Sequence, residues 1–180
     1  MQPSSTELIL IRVTGEDRPG LTSSVTEILA KYDATILDIG QADIHNTLSL
    51  GILFKSEERH SGFIMKELLF KASSLGVTIR FEPITTEQYD NWVGMQGKNR
   101  YILTVLGRKL SARQISAATS VLAEQGMNID AIKRLTGRIP LDECDTDART
   151  RACIEFSVRG TPKDRIAMQE SLMKLASELE

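Results

Sequence analysis

Apolar and polar residues along the first fifth of the chain follow the periods of a strand and then of a helix. Glu7–Thr14 is rich in β-branched residues and stops at Gly15, which predicts a strand. After Pro19-Gly20, apolar residues recur at the spacing of one helix face: Leu21, Val25, Ile28, Leu29 and Tyr32. The pattern therefore predicts a strand followed by an amphipathic helix that opens at Pro19-Gly20.

The next fifty or so residues continue with two strands, a helix and a strand. Thr35–Ile44 predicts a second strand. Apolar residues then alternate with small or polar ones, as in a sheet with one buried face: Leu48, Leu50, Ile52 and Phe54. A helix from about Ser61 closes at Gly76, and Val77–Glu82 predicts a fourth strand. The resulting order, βαββαβ, is the ferredoxin-like plan.

A second copy of this order follows the first. Val121–Ile129 aligns with Ile28–Ile36 at an offset of 93 residues, and Val105–Gly107 aligns with Val13–Gly15 at an offset of 92. Identities are few, but the order of elements repeats with them, which indicates a duplication.

The second copy is predicted to be incomplete. Three strands are predicted: Tyr101–Leu106, Asn128–Leu135 and Arg151–Val158. Its helices are expected to start at a capping box, Ser111 to Gln114, and at Thr161-Pro162 as N-cap and first helical residue. A fourth strand is missing before Glu180, which would leave a sheet edge unpaired. We therefore expect the chain to be a fragment of a longer protein.

The predicted fold class is α+β, with two ferredoxin-like domains in tandem. The first domain is expected at residues 1–84 and the second, lacking its last strand, at residues 100–180. Over residues 85–99 the apolar pattern is no longer periodic and turn-forming residues are frequent, so this segment is expected to form a linker.

Composition excludes several classes of partner. The net charge of −2 gives nucleic acid or an anionic membrane no electrostatic reason to bind. No apolar segment approaches the roughly 18 residues of a membrane span. Two cysteines are too few for a disulfide framework, and we expect reduced thiols in a cytoplasmic protein.

The turn between the first strand and the first helix carries the clearest candidate chemistry. Its sequence from Thr14 to Leu21 is TGEDRPGL. Such a turn presents backbone N–H groups at the positive end of a helix dipole, where a carboxylate can dock. Asp17 could accept a hydrogen bond from an ammonium group, so the turn suits a free amino acid. A structural alternative stays open, in which the glycines only permit a tight turn and Asp17 caps the helix.

No catalytic or metal site is predicted. The acidic loop Asp142–Asp147 contains an Asp-x-Asp string that starts at Asp145 and could be compared with a nucleophile motif. The string follows a polar segment rather than a buried strand, and the fifth residue counted from Asp145 is Arg149, which does not fit such a motif. Counted as a calcium loop from Asp142, it lacks the glycine at the sixth position and the glutamate at the twelfth. Neither His45 nor His60 has a second candidate ligand in the pattern. The chain itself is therefore expected to hold no cofactor.

The Asp-Arg-Pro-Gly turn, the βαββαβ order and the duplication resemble paired ACT domains. Three stretches, 13–20, 44–51 and 127–132, are similar in the same order to the N-terminal regulatory regions of bacterial phosphoserine phosphatases. This resemblance implies a haloacid-dehalogenase domain elsewhere in the parent protein. Such a domain hydrolyses phosphoserine to serine, the last step of serine biosynthesis, with Mg²⁺ and through an aspartyl-phosphate.

The resemblance also implies a ligand site and a partner. ACT ligands bind where the strand-to-helix turn of one domain meets the second strand of a neighbour. The residues implied are Asp17, Gly20 and Leu21 together with Asn128, and more weakly the turn at Gly107 together with Thr35. The implied ligand is a small amino acid, with serine the first candidate, and the implied assembly is a homodimer.

Two other functions stay open. The chain could be a stand-alone double-ACT protein resembling the transcriptional repressor of glycine cleavage. Alternatively, the duplicated domains could form only a dimer interface, without sensing a ligand.

Overall fold

The computed structural model describes residues 5–96, 99–108, 111–138 and 152–178. The chain divides into two compact units, Met1–Gly94 (unit 1) and Met95–Glu180 (unit 2). Each unit has its own sheet and its own hydrophobic core.

Unit 1 has the predicted βαββαβ order. Its elements are β1 Thr6–Glu16, α1 Leu21–Lys31, β2 Thr35–Ile44, β3 Thr47–Glu57, α2 Glu58–Leu75 and β4 Thr78–Ile84. The strands form an antiparallel sheet in the order β2-β3-β1-β4, which is ferredoxin-like. Helix α2 ends at Gly76 in the left-handed conformation, as predicted. It begins three residues before the predicted start at Ser61, because its first turn is polar and gives no apolar signal.

The core of unit 1 lies between one face of the sheet and the two helices. Alternate residues of β1 and β3 point into it and are almost fully buried: Ile9, Ile11, Val13, Leu48, Leu50, Ile52 and Phe54. Helix α1 contributes Leu21, Val25 and Leu29, and α2 contributes Ile64 and Leu68. Each such side chain stabilises the fold by about 1.5–3 kcal/mol. The buried residues of the strands, which recur at every second position, and those of α1, which recur at the helical period, therefore form one core.

Gly15 is required near the end of β1 by a close approach. A Cβ atom at this position would lie 2.6 Å from Val77 Cγ1 and 3.1 Å from Val77 Cα. Because valine is stiff at its first side-chain torsion, the neighbour cannot move away cheaply.

Residues 86–96 form a helix, α3 Thr86–Gln96, where the sequence predicted an irregular linker. Its start is fixed by a reciprocal cap. The Gln88 amide donates to Thr85 Oγ1 at 3.1 Å, and the Thr85 amide donates to Gln88 Oε1 at 2.9 Å. Tyr89 and Trp92 pack with ring centroids 5.8 Å apart. The capping signal was present in the sequence, but the apolar pattern was too weak to predict a helix.

Unit 2 repeats the first five elements. They are β5 Arg100–Gly107, α4 Ala112–Glu124, β6 Asn128–Arg134, β7 Ala152–Arg159 and α5 Arg165–Glu178. Among the described residues the sheet has three strands, in the order β5-β7-β6. The predicted capping box at the start of α4 is confirmed, since Ser111 and Gln114 each bond the other's backbone amide.

Helix α5 begins later than predicted, and Thr161-Pro162 is not its start. The Asp164 carboxylate accepts hydrogen bonds from the amides of Ile166 and Ala167 at 2.9 and 3.0 Å, so Asp164 is the cap. The Asp164 amide in turn donates to Gln125 Oε1 at 2.9 Å. This bond fixes the segment before α5 to the end of α4.

Backbone details confirm the duplication. Asp33 and Gly126, 93 residues apart, both adopt positive φ after the first helix of their unit, at 51° and 71°. A β-bulge then interrupts the second strand at the same place in each copy, between Ile36 and Asp38 and between Ile129 and Ala131.

Replacing Gly15 with alanine should lower the free energy of unfolding by about 2 kcal/mol, because the added methyl group overpacks against Val77. Urea unfolding followed by circular dichroism measures the change. Gly62→Ala is the matched control. Gly62 lies within α2, where an added methyl group would meet nothing within 4 Å, so this change should stabilise by about 0.5–1 kcal/mol. Equal effects of the two substitutions would contradict the close approach at Gly15.

Candidate functional site

The turn between β1 and α1 is held by backbone contacts to a neighbouring hairpin. The Asp17 amide donates to the Asn46 carbonyl at 2.8 Å. Asn46 and His45 form the turn between β2 and β3, both with positive φ, at 59° and 54°. The side chain of Thr22, in the first turn of α1, donates to Gln41 Oε1 on β2 at 2.8 Å. Asn46 and Gln41 were not predicted as part of the site, because only the folded sheet brings β2 beside α1.

Helix α1 begins without a side-chain cap. Its N-cap residue is Gly20, with φ 86°, and no described side chain bonds the amides of its first turn. The alternative in which Asp17 caps the helix is therefore wrong. A Cβ on Gly20 would meet nothing within 4 Å, so glycine is needed here for its backbone conformation and not for lack of space. The Leu21 amide donates to the Arg18 carbonyl at 3.2 Å, so the open amides at the start of α1 are those of Thr22 and Ser23, at the positive end of the helix dipole.

The turn carries two carboxylates, of which Glu16 is paired with Arg18 and Asp17 is exposed. The Arg18 guanidinium lies 2.6 Å from Glu16 Oε2, and this hydrogen bond and charge hold the pKa of Glu16 below its usual value. Asp17 is exposed beside this pair. The turn therefore offers uncapped amides for an anion and an exposed carboxylate for a cation.

Two other residues of unit 1 were predicted as site residues, Leu21 with this turn and Thr35 with the turn at Gly107. The side chain of Leu21 is 2% exposed and packs in the core, so only its backbone lies at the turn. Thr35 is exposed at the start of β2, opposite Lys55, whereas the end of β1 at Glu16 lies opposite Thr47. Thr35 and the turn therefore lie at opposite ends of the sheet, and unit 1 does not bring them together.

In unit 2, Asn128 lies at the start of β6 within a polar cluster. Its side-chain Nδ2 donates to Asp130 Oδ1 at 3.0 Å, and Arg159 Nη2 lies 3.0 Å from the same oxygen. Asp130 and Arg159 were not predicted as part of the site. Their positions could have been found from the pairing of β6 with the end of β7, which depends on strand register.

The second strand-to-helix turn begins at Gly107, the last residue of β5, which lies opposite Ala152. Residues 109–110 of this turn lie outside the described residues, as does the acidic loop 142–147. Both predicted pairings, that of the first turn with Asn128 and that of Gly107 with Thr35, join residues of different units. They stay predictions.

Two features are absent from the described ranges, residues 5–96, 99–108, 111–138 and 152–178. There, no three His, Cys, Asp or Glu side chains are grouped so that they could hold a metal ion. Within the same ranges, no helix is long and apolar enough to cross a membrane.

Comparison with known families finds the same match in both halves of the chain. A family model described as ACT domain matches residues 7–82, and another with the same description matches residues 100–180.

Two curated relatives match most of the chain. Phosphoserine phosphatase SerB2 of Mycobacterium tuberculosis is 30% identical over 129 residues, which cover 71% of this chain and 31% of that protein. A phosphoserine phosphatase of Streptomyces coelicolor is 31% identical over 160 residues, which cover 88% of this chain and 35% of that protein. The chain thus spans about a third of the length of these relatives.

Two solved structures share the fold along nearly the whole chain. An unknown protein from Galdieria sulphuraria has a TM-score of 0.74 at 20% identity, covering 97% of this chain and 94% of that one. A putative glycine cleavage system transcriptional repressor has a TM-score of 0.65 at 15% identity, covering 97% and 92%. At these identities the likeness shows the fold alone.

Arg18→Gln should raise the pKa of Glu16 toward its ordinary value, because the substitution removes the hydrogen bond and the charge that lower it. A carboxylate with a lowered folded pKa stabilises above its unfolded pKa, near 4.5, and this contribution is lost as pH falls through the folded value. NMR titration of the Glu16 side chain measures the shift. Arg12→Gln is the control, since Arg12 pairs with Glu82 at 2.9 Å. A low Glu16 pKa that survives Arg18→Gln would contradict the pairing.

Proposed function

The chain belongs to the ACT-domain family, and we propose that it is the amino-acid-binding regulatory region of a phosphoserine phosphatase. Identity of about 30% to two phosphatases, one of them over 88% of the chain, supports the parent enzyme. The open turn at the start of α1 supports the ligand. In this proposal the phosphoester chemistry and its Mg²⁺ belong to the part of such enzymes that this chain does not match.

The turn is the observation that carries the proposal, because it offers both charges that a free amino acid needs. The uncapped amides of α1 and the helix dipole favour a carboxylate. The exposed Asp17 carboxylate can accept from an ammonium group. The bond from the Asp17 amide to Asn46 keeps the backbone in place before a ligand arrives, which lowers the ordering cost of binding.

Serine is the ligand that this parent enzyme would most directly sense. Hydrolysis of the phosphoserine monoester releases serine and phosphate, so binding of serine by a regulatory region would report the amount of product. The ligand is small, and the turn has open space above Gly20.

A second copy of the chain is the proposed assembly partner. In the described part of unit 2, Ile102 and Leu106 on β5 are 61% and 74% exposed. Exposed apolar side chains that lie on one strand are a surface on which another chain can pack. A dimer without ligand sensing remains the competing function, and calorimetry separates the two.

L-Serine should bind the chain with measurable heat in isothermal titration calorimetry. Asp17→Ala should weaken binding by roughly 10-fold or more, because a hydrogen bond to the charged ammonium group is lost. Glu170→Ala, which removes an exposed carboxylate on α5 of unit 2, is the matched control and should leave the affinity unchanged.

The dissociation constant for serine and the oligomeric state are to be measured on the same variants. Light scattering should show that Asp17→Ala keeps the assembly of the unsubstituted chain. Absence of heat with any of the twenty amino acids, together with an intact dimer, would replace the proposal with the assembly-only function.

A further inference from the structure

The face of the unit 1 sheet that points away from α1 and α2 carries two arginines directly opposite each other. Ile11 and Val13 on β1 point into the core, so Arg12 between them points to the other face. Its partner in the register of β1 with β4 is Arg80, and both arginines are exposed. Side chains paired in this way start only about 5 Å apart, and like charges at that spacing destabilise a sheet.

Only one of the two charges is paired with a described carboxylate. Arg12 Nη2 lies 2.9 Å from Glu82 Oε2. Arg80 forms no ion pair or hydrogen bond with any described side chain. Asp38 lies on the same face but on β2, at the opposite edge of the sheet, three strand spacings or about 14 Å from β4. An anion placed between the two guanidinium groups would relieve their repulsion.

The surface beside the arginines is low and lined by hydroxyl groups. Beyond Arg12, toward β3 and β2, the next two residues in the register are Gly51 and Gly40, which have no side chains. A Cβ added to Gly40 would meet nothing within 4 Å. The neighbouring row of this face, on the side away from Glu82, carries three hydroxyl groups, those of Thr78, Thr14 and Ser49. We call the two arginines and these three residues the outer-face cluster.

We propose that the outer-face cluster binds a phosphate group, either as free orthophosphate or as a phosphate monoester. A guanidinium presents parallel N–H groups that match two oxygens of a phosphate, and a hydroxyl group can donate to a third. A carboxylate has only two oxygens and one charge, so it matches the cluster less well. Hydrolysis by the proposed parent enzyme consumes a monoester and releases orthophosphate, so both forms would be present where it works. Amino-acid binding at the turn of Asp17 is not required.

The second copy has no equivalent of the outer-face cluster. At the offset of 92 residues, Arg12 corresponds to Thr104. Thr104 lies opposite Glu155 on β7, whereas Arg12 lies opposite Gly51 on β3. A carboxylate at that position repels an anion instead of leaving room for it. One phosphate group should therefore bind per chain.

Urea unfolding with and without sodium phosphate, at an ionic strength held constant with sodium chloride, tests the site. At about pH 8 the phosphate is a dianion, and it should raise the urea midpoint of the unsubstituted chain. Arg80→Gln should raise the midpoint in the absence of phosphate, because the repulsion is gone, and should lose the rise that phosphate causes. Arg59→Gln is the matched control, since Arg59 is an exposed arginine on α2 that pairs with Glu57, and it should keep the full rise.

Arg80→Lys separates the geometry of the guanidinium from its charge. Lysine keeps the repulsion but presents a point charge, so the phosphate-free midpoint should stay low and most of the rise should be lost. A midpoint that phosphate leaves unchanged in the unsubstituted chain, or a phosphate effect that persists in Arg80→Gln, would overturn the inference.

Calorimetry with orthophosphate and with O-phospho-L-serine identifies the form that binds. Both titrations use Asp17→Ala, so that the amino-acid part of phosphoserine gains nothing from the turn. Adding Arg80→Gln should weaken the bound form by roughly 10-fold or more, because charge-assisted hydrogen bonds are lost. Tighter binding of O-phospho-L-serine supports a monoester site, and tighter binding of orthophosphate supports a site for the free ion. Heat from neither ligand would contradict the proposal and leave the proposed serine site untouched.

Discussion

The antiparallel pairing of β1 with strands on both of its sides is the constraint on which unit 1 depends. One side bonds to β3 along the whole strand, and the other bonds to β4 from Leu8 to Thr14. This central position buries the inward side chains of β1 and fixes where the strand ends. The end of β1 then decides where α1 starts, and so where the open amides and Asp17 are placed. Gly15 shows how tight the arrangement is, because the strand passes the residue before β4 with no room for a methyl group.

Unit 2 shows the effect of changing this constraint. Its central strand is β7, and β5, which corresponds to β1, lies at the edge of the described sheet. Tyr101, Leu103 and Val105 on the inward face of β5 are only half-buried, whereas Ile9, Ile11 and Val13 on β1 are at most 3% exposed. The two copies therefore share a backbone plan but differ in how deeply the inward face of the first strand is buried. The chemistry divides in the same way, with the charged turn in one copy and the polar cluster around Asn128 in the other.

Local signals in the sequence were enough to predict most of the fold. The period of apolar residues located β1, α1 and β2 closely, and capping residues located Gly76 and the start of α4. Where a start was missed, a local polar contact outweighed the pattern that was read: Asp164 rather than Thr161 caps α5. For the site, the turn at Asp17 could be recognised because its residues are contiguous. Asp130 and Arg159 could not, because a bulge and the register of two strands bring them together.

The repeated bulge also bears on the history of the chain. A β-bulge accommodates one extra residue in a strand, so the residues after it keep their faces of the sheet. Losing that residue would turn them to the other face unless the bulge were lost with it. Its presence at the same offset in both copies is what the doubling of one bulged domain would produce. The extra residue differs between the copies, being Leu37 in the first bulge and Asp130 in the second. The two copies thus share the irregularity of the strand and differ in the residue that it displays.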